Sequence, residues 1–382
     1  MRIGLVTSEF PPDIGGVETY SWHMAAELGR RQGVEVTVYC PRGSRDAAMP
    51  PGVALKPFLA TCRDSDWKRL RNEPIDVWHA LSAPHAWLAL TQRPTVVSVH
   101  GNDFLMPYLP TARPALADTP LWRWEEWVWK RFDGYWRRAS LKLVEKSLPK
   151  AHAIFSNSRY TAAVLAKRIP DCGSRINVTW AGVDEKFLEI PRAPRGPRAR
   201  LLTVSRLSEP RKNVGVVIRA LGALRDRHEF EYTVAGDGKE RESLEALSIE
   251  CGIRDRVTFT GRVSDEKLKE LYANADLFVL TSSVIPDSHE GFGIVYLEAA
   301  AAGVPSLAAR LAGAVDAVQE GGSGFFVDEV SVPSLVDALG DFLSGKQRFD
   351  SLACRAFANR FKWSRIVDQM LAHYPEGGRA QR

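Results

Sequence analysis

Short apolar runs, each followed by a polar or glycine-bearing loop and an amphipathic helical stretch, recur along this chain on both sides of one proline-rich break. Such runs read as parallel strands buried on both faces, and the helical stretches between them are the crossovers that parallel strands need. In the first half, strands are expected near Arg2 to Ser8, Val34 to Cys40, Asp76 to Ala80, Thr95 to His100, Ala151 to Ser156 and Ile176 to Trp180. In the second they are expected near Arg200 to Ser205, Glu231 to Ala235, Val257 to Thr260, Asp276 to Thr281, Pro305 to Ala308 and Gly324 to Val327. The stretch Ile190-Pro191-Arg192-Ala193-Pro194-Arg195-Gly196-Pro197-Arg198 is too rich in proline and glycine for helix or sheet. The expected fold class is α/β: two doubly wound, Rossmann-like domains at 1–187 and 200–360, a linker at 188–199 and a last helix within 361–382.

A chain of 382 residues can supply a core to each of two domains. No apolar run approaches the roughly 20 residues a membrane span needs. The start, Met1-Arg2-Ile3-Gly4-Leu5-Val6, reads directly as a buried strand with no charged leader before it, so a cytoplasmic location is expected. The five cysteines (Cys40, Cys62, Cys172, Cys251, Cys354) are scattered and lack any Cys-x-x-Cys spacing, which points to reduced core thiols and away from disulfides or zinc. The formal charge of +5 carries no expectation of nucleic-acid binding.

The chemistry concentrates in Glu290-Gly291-Phe292-Gly293-Ile294-Val295-Tyr296-Leu297-Glu298, which follows the strand-like Asp276 to Thr281. Loops at the carboxyl ends of strands bind ligands in α/β sheets, and this loop runs straight into a helix N-terminus. Unpaired amides there attract phosphate, the glycines admit a ligand close to the backbone, and the two carboxylates can accept hydrogen bonds from paired hydroxyls. Phosphate together with a polyol reads as a nucleotide sugar.

This stretch resembles the Glu-x7-Glu signature of retaining glycosyltransferases of family four. Three further segments match in order: the Gly15-Gly16 loop, His100-Gly101-Asn102-Asp103, and Ser205-Arg206-Leu207 followed by Lys212. The resemblance covers nearly the whole chain and implies the GT-B fold, two parallel-sheet domains facing across a cleft, with the final helix crossing back to the N-terminal domain. It implies that Arg206 and Lys212 stabilise the leaving diphosphate and that Glu290 and His100 hold the reacting sugar. The amides of Gly291, Phe292 and Gly293 would lie beside that sugar, and those of Ile294 and Val295 at the second phosphate. Glu298 would take the ribose hydroxyls, and the backbone at Arg262 and Val263 would meet the nucleobase. Gly15 and Gly16 would approach both phosphate and acceptor. Asp103 is the nearest carboxylate able to orient His100 or an acceptor hydroxyl. No divalent metal or other cofactor is implied, because fixed cations and a helix N-terminus do a metal's work. Since these motifs show no carboxylate nucleophile, a front-face mechanism is expected, in which the leaving diphosphate oxygen deprotonates the acceptor.

Relatives often carry Gly-Gly-x-x-Glu after the strand matching Pro305 to Ala308, where this chain has Ala309-Arg310-Leu311-Ala312-Gly313-Ala314-Val315-Asp316. Asp64-Ser65-Asp66 resembles a metal-binding Asp-x-Asp but lies in a polar stretch without a preceding strand, so a surface turn is expected. Residues 121–150 hold Trp122, Trp124, Trp127, Trp129 and Trp136 and carry eight Lys and Arg against four Asp and Glu. On a helical wheel Leu121, Trp124, Val128, Trp129, Phe132, Tyr135 and Trp136 share one side, with Lys130, Arg131, Arg137 and Arg138 opposite. Such a stripe either packs on its own domain or docks on an anionic membrane.

The expected function is retaining, metal-independent transfer of a hexose of mannose or glucose type. The donor would be a UDP- or GDP-sugar, and the acceptor a glycan, lipid-linked or small-molecule hydroxyl. An α-linkage in bacterial surface polysaccharide or glycolipid assembly is expected. The alternatives are a sugar-nucleotide epimerase of the same fold and a nucleotide-sugar-binding protein without catalysis. If the basic stretch docks, the protein would sit peripherally at the inner face of the membrane.

Overall fold

The computed structural model describes residues 1–12, 15–41, 44, 49–60, 63–107 and 126–375, with backbone alone at 126–133. Two compact units emerge: Met1–Ala181 with the chain from Trp363, and Gly182–Lys362.

The first unit is built on a seven-stranded sheet with the order β3-β2-β1-β4-β5-β6-β7, every neighbouring pair parallel. Its strands are β1 (Arg2–Val6), β2 (Glu35–Pro41), β3 (Val53–Leu59), β4 (Val77–Ala80), β5 (Thr95–Val99), β6 (Ala153–Ser156) and β7 (Ile176–Val178). The central strands are almost wholly buried, which explains their unbroken apolar sequences. The strand β3 is absent from the sequence expectations. It is a half-exposed edge strand that carries Pro57, and proline is tolerated only where no ladder partner needs its amide.

The second unit holds a six-stranded parallel sheet, order β10-β9-β8-β11-β12-β13. Its strands are β8 (Ala199–Val204), β9 (Phe230–Ala235), β10 (Val257–Gly261), β11 (Leu277–Leu280), β12 (Ser306–Ala309) and β13 (Gly324–Val327). All six fall where the apolar runs placed them. In each sheet the winding reverses once, between β1 and β4 and between β8 and β11. In doubly wound sheets such switch points, where successive loops run to opposite faces, are where ligands bind at the strands' carboxyl ends.

The proline-rich stretch after Leu188 is pinned to the second unit. Arg355 donates to the carbonyls of Leu188 and Ile190, Arg192 to those of Tyr272 and Ala275, and the Ala193 amide to Ala273 O at 3.0 Å. The helix Trp363–Leu371 belongs to the first unit. Its Trp363 stacks on His23 at 5.2 Å and meets the edge of Tyr20 at 5.3 Å, while Asp368 pairs with Arg31 at 2.9 Å.

One sequence expectation changes here, and one that stood open between two readings gains detail. Asp64 and Asp66 lie in the helix Arg63–Leu70, and no surface turn forms. Asp66 is buried because its carboxylate accepts the Ala60 amide at 2.7 Å, closing the connection from β3. The basic helix spans Glu126–Ser147, and among its described side chains the buried ones lie in the last turns, where Val144 joins Leu148, Ala83, Ala86 and Trp87 in the core. Tyr135 and Trp136 are 66% and 38% exposed, so the wheel's apolar stripe is not continuously packed. Trp122, Trp124 and Cys62 lie outside the described residues, as do the side chains of Trp127 and Trp129. Cys40, Cys172 and Cys354 are buried free thiols, and Cys251 is partly exposed. Among the described residues no helix is long and apolar enough to cross a membrane.

Candidate functional site

At the β8/β11 switch point the loop after β8 and the loop after β11 are laced together. Asn213 adopts a left-handed conformation (φ 58°), tolerable for asparagine, and its amide group donates to Thr281 O at 2.6 Å and Ser283 Oγ at 2.7 Å. The Ser283 amide returns to Arg211 O at 2.7 Å. Behind them the turn after β9 presses backbone against backbone. A Cβ on Gly236 would stand 1.8 Å from Ser205 O, and one on Gly238 2.4 Å from the Leu207 carbonyl carbon, so only glycine fits either place. Leu207 N donates to Asp237 O at 2.9 Å, which holds the loop bearing Arg206.

This lacing brings Lys212 to Glu290. Lys212 Nζ donates to Glu290 Oε2 at 2.6 Å, Ser282 Oγ donates to the same oxygen at 2.9 Å, and Arg211 Nη1 stands 3.6 Å away. Burial alone would raise the Glu290 carboxyl. The charges of Lys212 and Arg211, with the Lys212 and Ser282 hydrogen bonds, outweigh it and hold the group at about 2. The carboxylate is therefore ionised at any physiological pH. Its neighbour His289 is pushed down to about 4 by burial and by Arg211, against the opposing pull of Glu290, and stays neutral. Arg206 points elsewhere: 74% exposed, it pairs with Glu209 at 2.7 Å.

Past Glu290 the chain turns through Gly293 (φ 87°), where a Cβ would strike the Tyr296 ring at 2.5 Å. It enters the helix Ile294–Ala301 with no side chain capping the N-terminus. The first amides, including Ile294 and Val295, have no acceptor within the helix and can hold an anion. The Phe292 side chain is buried against Phe361, which leaves only its backbone for a ligand. Gly313 donates its amide to Glu290 O at 3.0 Å, and a Cβ there would meet Gly291 O at 2.1 Å. The segment that departs from the relatives' pattern thus still buttresses the Glu290 loop.

Glu298 faces a different set of partners. Tyr272 Oη donates to it at 2.9 Å, and Lys186, Asp184 and Asp265 surround it. Burial pushes the Glu298 carboxyl up to about 7, although the Tyr272 hydrogen bond and the Lys186 charge oppose the rise. Arg262 is exposed and Val263 half-buried at the end of β10. Neither forms a hydrogen bond or ion pair with the Glu290 cluster among the described residues.

In the first unit the corresponding loops carry Gly15, Gly16 and His100. Gly15 is extended and precedes the helix Gly16–Gly29, which also lacks a side-chain cap; a Cβ on Gly16 would meet open space. The His100 ring bonds Leu81 O through Nε2 at 2.7 Å and stands 4.5 Å, edge to face, from Tyr20. Asp103 does not orient that ring. One carboxylate oxygen accepts the His100 amide and the other the Ala83 amide, both at 2.8 Å, so it braces the backbone under the histidine. Beneath lies a buried chain: Tyr20 Oη to Ser98 Oγ at 2.8 Å, Ser98 Oγ to His79 Nε2 at 2.8 Å, and His79 Nδ1 to Tyr374 Oη at 2.6 Å. Burial, with a smaller effect of His100, lowers His79 to about 3 and keeps it neutral.

Sequence reasoning missed Arg211, Ser282, Asn213 and the Gly236–Gly238 turn. The run Pro210-Arg211-Lys212-Asn213 and the Gly-Asp-Gly after β9 were the readable signals.

Residues 14–187 match the profile of Glycosyltransferase Family 4, and residues 186–358 that of Glycosyl transferases group 1. The chain is 31% identical over 379 residues to a GDP-mannose-dependent alpha-(1-6)-phosphatidylinositol monomannoside mannosyltransferase of Mycolicibacterium smegmatis, covering 90% of each chain. To the protein of the same description from Mycobacterium tuberculosis it is 30% identical over 378 residues, 91% of this chain and 90% of that one. Among solved structures, Anabaena HepE in complex with UDP-glucose superposes with a TM-score of 0.71 at 20% identity, over 97% of this chain and 98% of that one, a likeness of GT-B fold. Matched along its length by these two profiles and by relatives that share nine-tenths of their own length with it, the chain belongs to the group 1, family four glycosyltransferases, enzymes that use a nucleotide sugar.

Proposed function

We propose that this protein transfers mannose from GDP-mannose to a hydroxyl of a glycolipid headgroup, with retention and an α-linkage, and without a divalent metal. The observation that carries the reading is the Lys212–Glu290–Arg211 cluster at the β8/β11 switch point, beside an uncapped helix N-terminus. The names of the mycobacterial relatives support mannose and a lipid acceptor.

In this mechanism the diphosphate lies against Arg206, Lys212 and the amides of Ile294 and Val295, which stabilise the charge it gains as the bond to sugar C1 breaks. Glu290 and the amides of Gly291 to Gly293 hold the sugar hydroxyls, Glu298 the ribose, and the backbone at Arg262 and Val263 the base. The acceptor oxygen bonds to C1 on the face the diphosphate leaves, and its proton passes to the departing phosphate oxygen. His100 is assigned to the transferred sugar, and Gly15 and Gly16 to phosphate and acceptor, by resemblance to the family.

A thermal-shift panel of GDP-mannose, UDP-glucose, ADP-glucose and a CMP-sugar tests the donor. GDP-mannose at 100 times its Kd should stabilise by about 2.7 kcal/mol, and a clear preference for another donor overturns the mannose assignment. Consumption of GDP-mannose to an epimer with no acceptor present would make the protein an epimerase instead. Activity should survive EDTA, since the proposed site relies on fixed cations. Loss of activity restored by Mg²⁺ or Mn²⁺ would reject metal independence.

Peripheral membrane contact belongs to the same proposal. Tyr135 and Trp136 are exposed on a helix that also exposes Arg138, Lys142 and Lys146, cations that anionic headgroups would attract. Vesicles with anionic lipid should bind the protein at low salt and release it as salt rises, each cation near the surface contributing about 1 kcal/mol. Replacing Arg138, Lys142 and Lys146 with serine should weaken that binding while the melting temperature holds. Wild-type protein that ignores such vesicles at low salt rules the contact out.

A further inference from the structure

Five charged side chains around the turn Pro210–Lys212 form an unbroken ladder of alternating sign. Arg206 pairs with Glu209 Oε1 at 2.7 Å, and Arg211 with Glu209 Oε2 at 2.6 Å. Arg211 then stands 3.6 Å from Glu290, which Lys212 closes at 2.6 Å. The two sides of Glu209 differ in burial. The Arg211 side chain is 5% exposed, and its Nε and Nη1 donate no hydrogen bond among the described residues, so its charge depends on Glu209 and Glu290. The Arg206 side chain is 74% exposed and can leave. An ion pair so open to water holds weakly, whereas separating a buried one is costly.

We propose that Glu209 is a positioning residue that occupies, in the free protein, the place of the diphosphate on Arg206, so that donor binding is an exchange of anions on one guanidinium. This rests on reading Arg206 and Lys212 as the diphosphate contacts. Glu209 cannot follow Arg206 outward, because Arg211 holds its other oxygen and its own carbonyl accepts the Lys212 amide at 2.9 Å. It is therefore a fixed counter-ion with one releasable partner. When the diphosphate arrives with a greater charge, Arg206 transfers to it. When the nucleoside diphosphate leaves, Glu209 takes Arg206 back and speeds the departure. The carboxylate keeps Arg206 close to the site at the expense of some donor affinity.

The experiment is Glu209→Gln, read by calorimetry with GDP and UDP and by stopped-flow dissociation at fixed ionic strength. Removing the competing anion should tighten binding by about two- to fivefold and slow dissociation by a similar factor, the scale of one exposed ion pair. In an Arg206→Ala background the same substitution should gain nothing, since the coupled partner is gone. Unchanged or weakened binding by Glu209→Gln overturns the proposal, as does an equal gain in both backgrounds, which would be a general effect of net charge. Glu209→Ala is read in the same way if the glutamine variant does not fold. If Arg206→Ala and Lys212→Ala bind GDP and UDP like wild type, the reading of the site fails and this inference with it. If they weaken binding while Glu209→Gln does not strengthen it, this inference alone falls.

Discussion

Lys212→Ala is expected to lower turnover by about a hundredfold or more, the scale found when one preorganised stabiliser of developing charge is removed. The ammonium is nearly buried, 2.6 Å from Glu290, and so acts at reduced dielectric where a fixed charge has most effect. Its loss also leaves Glu290 buried with a single cation at 3.6 Å, so the variant should melt below wild type. Arg206→Ala separates chemistry from stability. It too should lose about a hundredfold in turnover. Because its side chain is 74% exposed, its melting temperature should stay near that of wild type. Steady-state kinetics on folded protein, with a parallel melt, reads both. Turnover near wild type in either variant would remove the diphosphate from this site.

Glu290→Gln should also cost about a hundredfold in turnover if the carboxylate holds the sugar during transfer. Its clearer signature is in stability against pH. The folded carboxyl titrates at about 2 against an ordinary value of 4.5, so the folded protein binds that proton more weakly than the unfolded chain. The resulting stabilisation, on the order of 3 kcal/mol, is fully present above pH 4.5 and is lost as pH falls toward 2. Glu290→Gln lacks the titration altogether. The gap in melting temperature between wild type and variant should therefore be wide at pH 7 and narrow at pH 3. A gap that does not change with pH would mean that Lys212 and Arg211 do not stabilise the charged carboxylate.

The strands most legible in the sequence were the buried ones. β11, with all four residues buried, announced itself because burial on both faces demands continuous apolar residues, while β9 and β10 did so with an apolar residue at every second position beside exposed Glu231 and Thr258. Val53–Leu59 did not, since an edge strand may be half polar and may hold a proline. Asp66 read as surface because nothing local reveals that a backbone amide six residues back will need an acceptor. For Tyr135 and Trp136 the sequence left packing and membrane docking both open, because helical period shows which residues share a face, not whether a neighbour covers it.

The site divides along the same line. Local sequence was enough for the two winding sheets, for the loops that end their strands with Glu290, Arg206, Lys212 and His100 on or beside them, and for the helix that carries Glu298. These follow from hydrophobic period and from glycine and proline chemistry acting over a few residues. Which charges meet was settled by packing. Lys212 and Arg211 found Glu290, Arg206 was left to Glu209, and Glu298 turned to Tyr272. Lys212 and Glu290 lie 78 residues apart, and they touch because β8 and β11 are neighbours in the sheet. Strand order is a long-range packing outcome, and no local pattern encodes it.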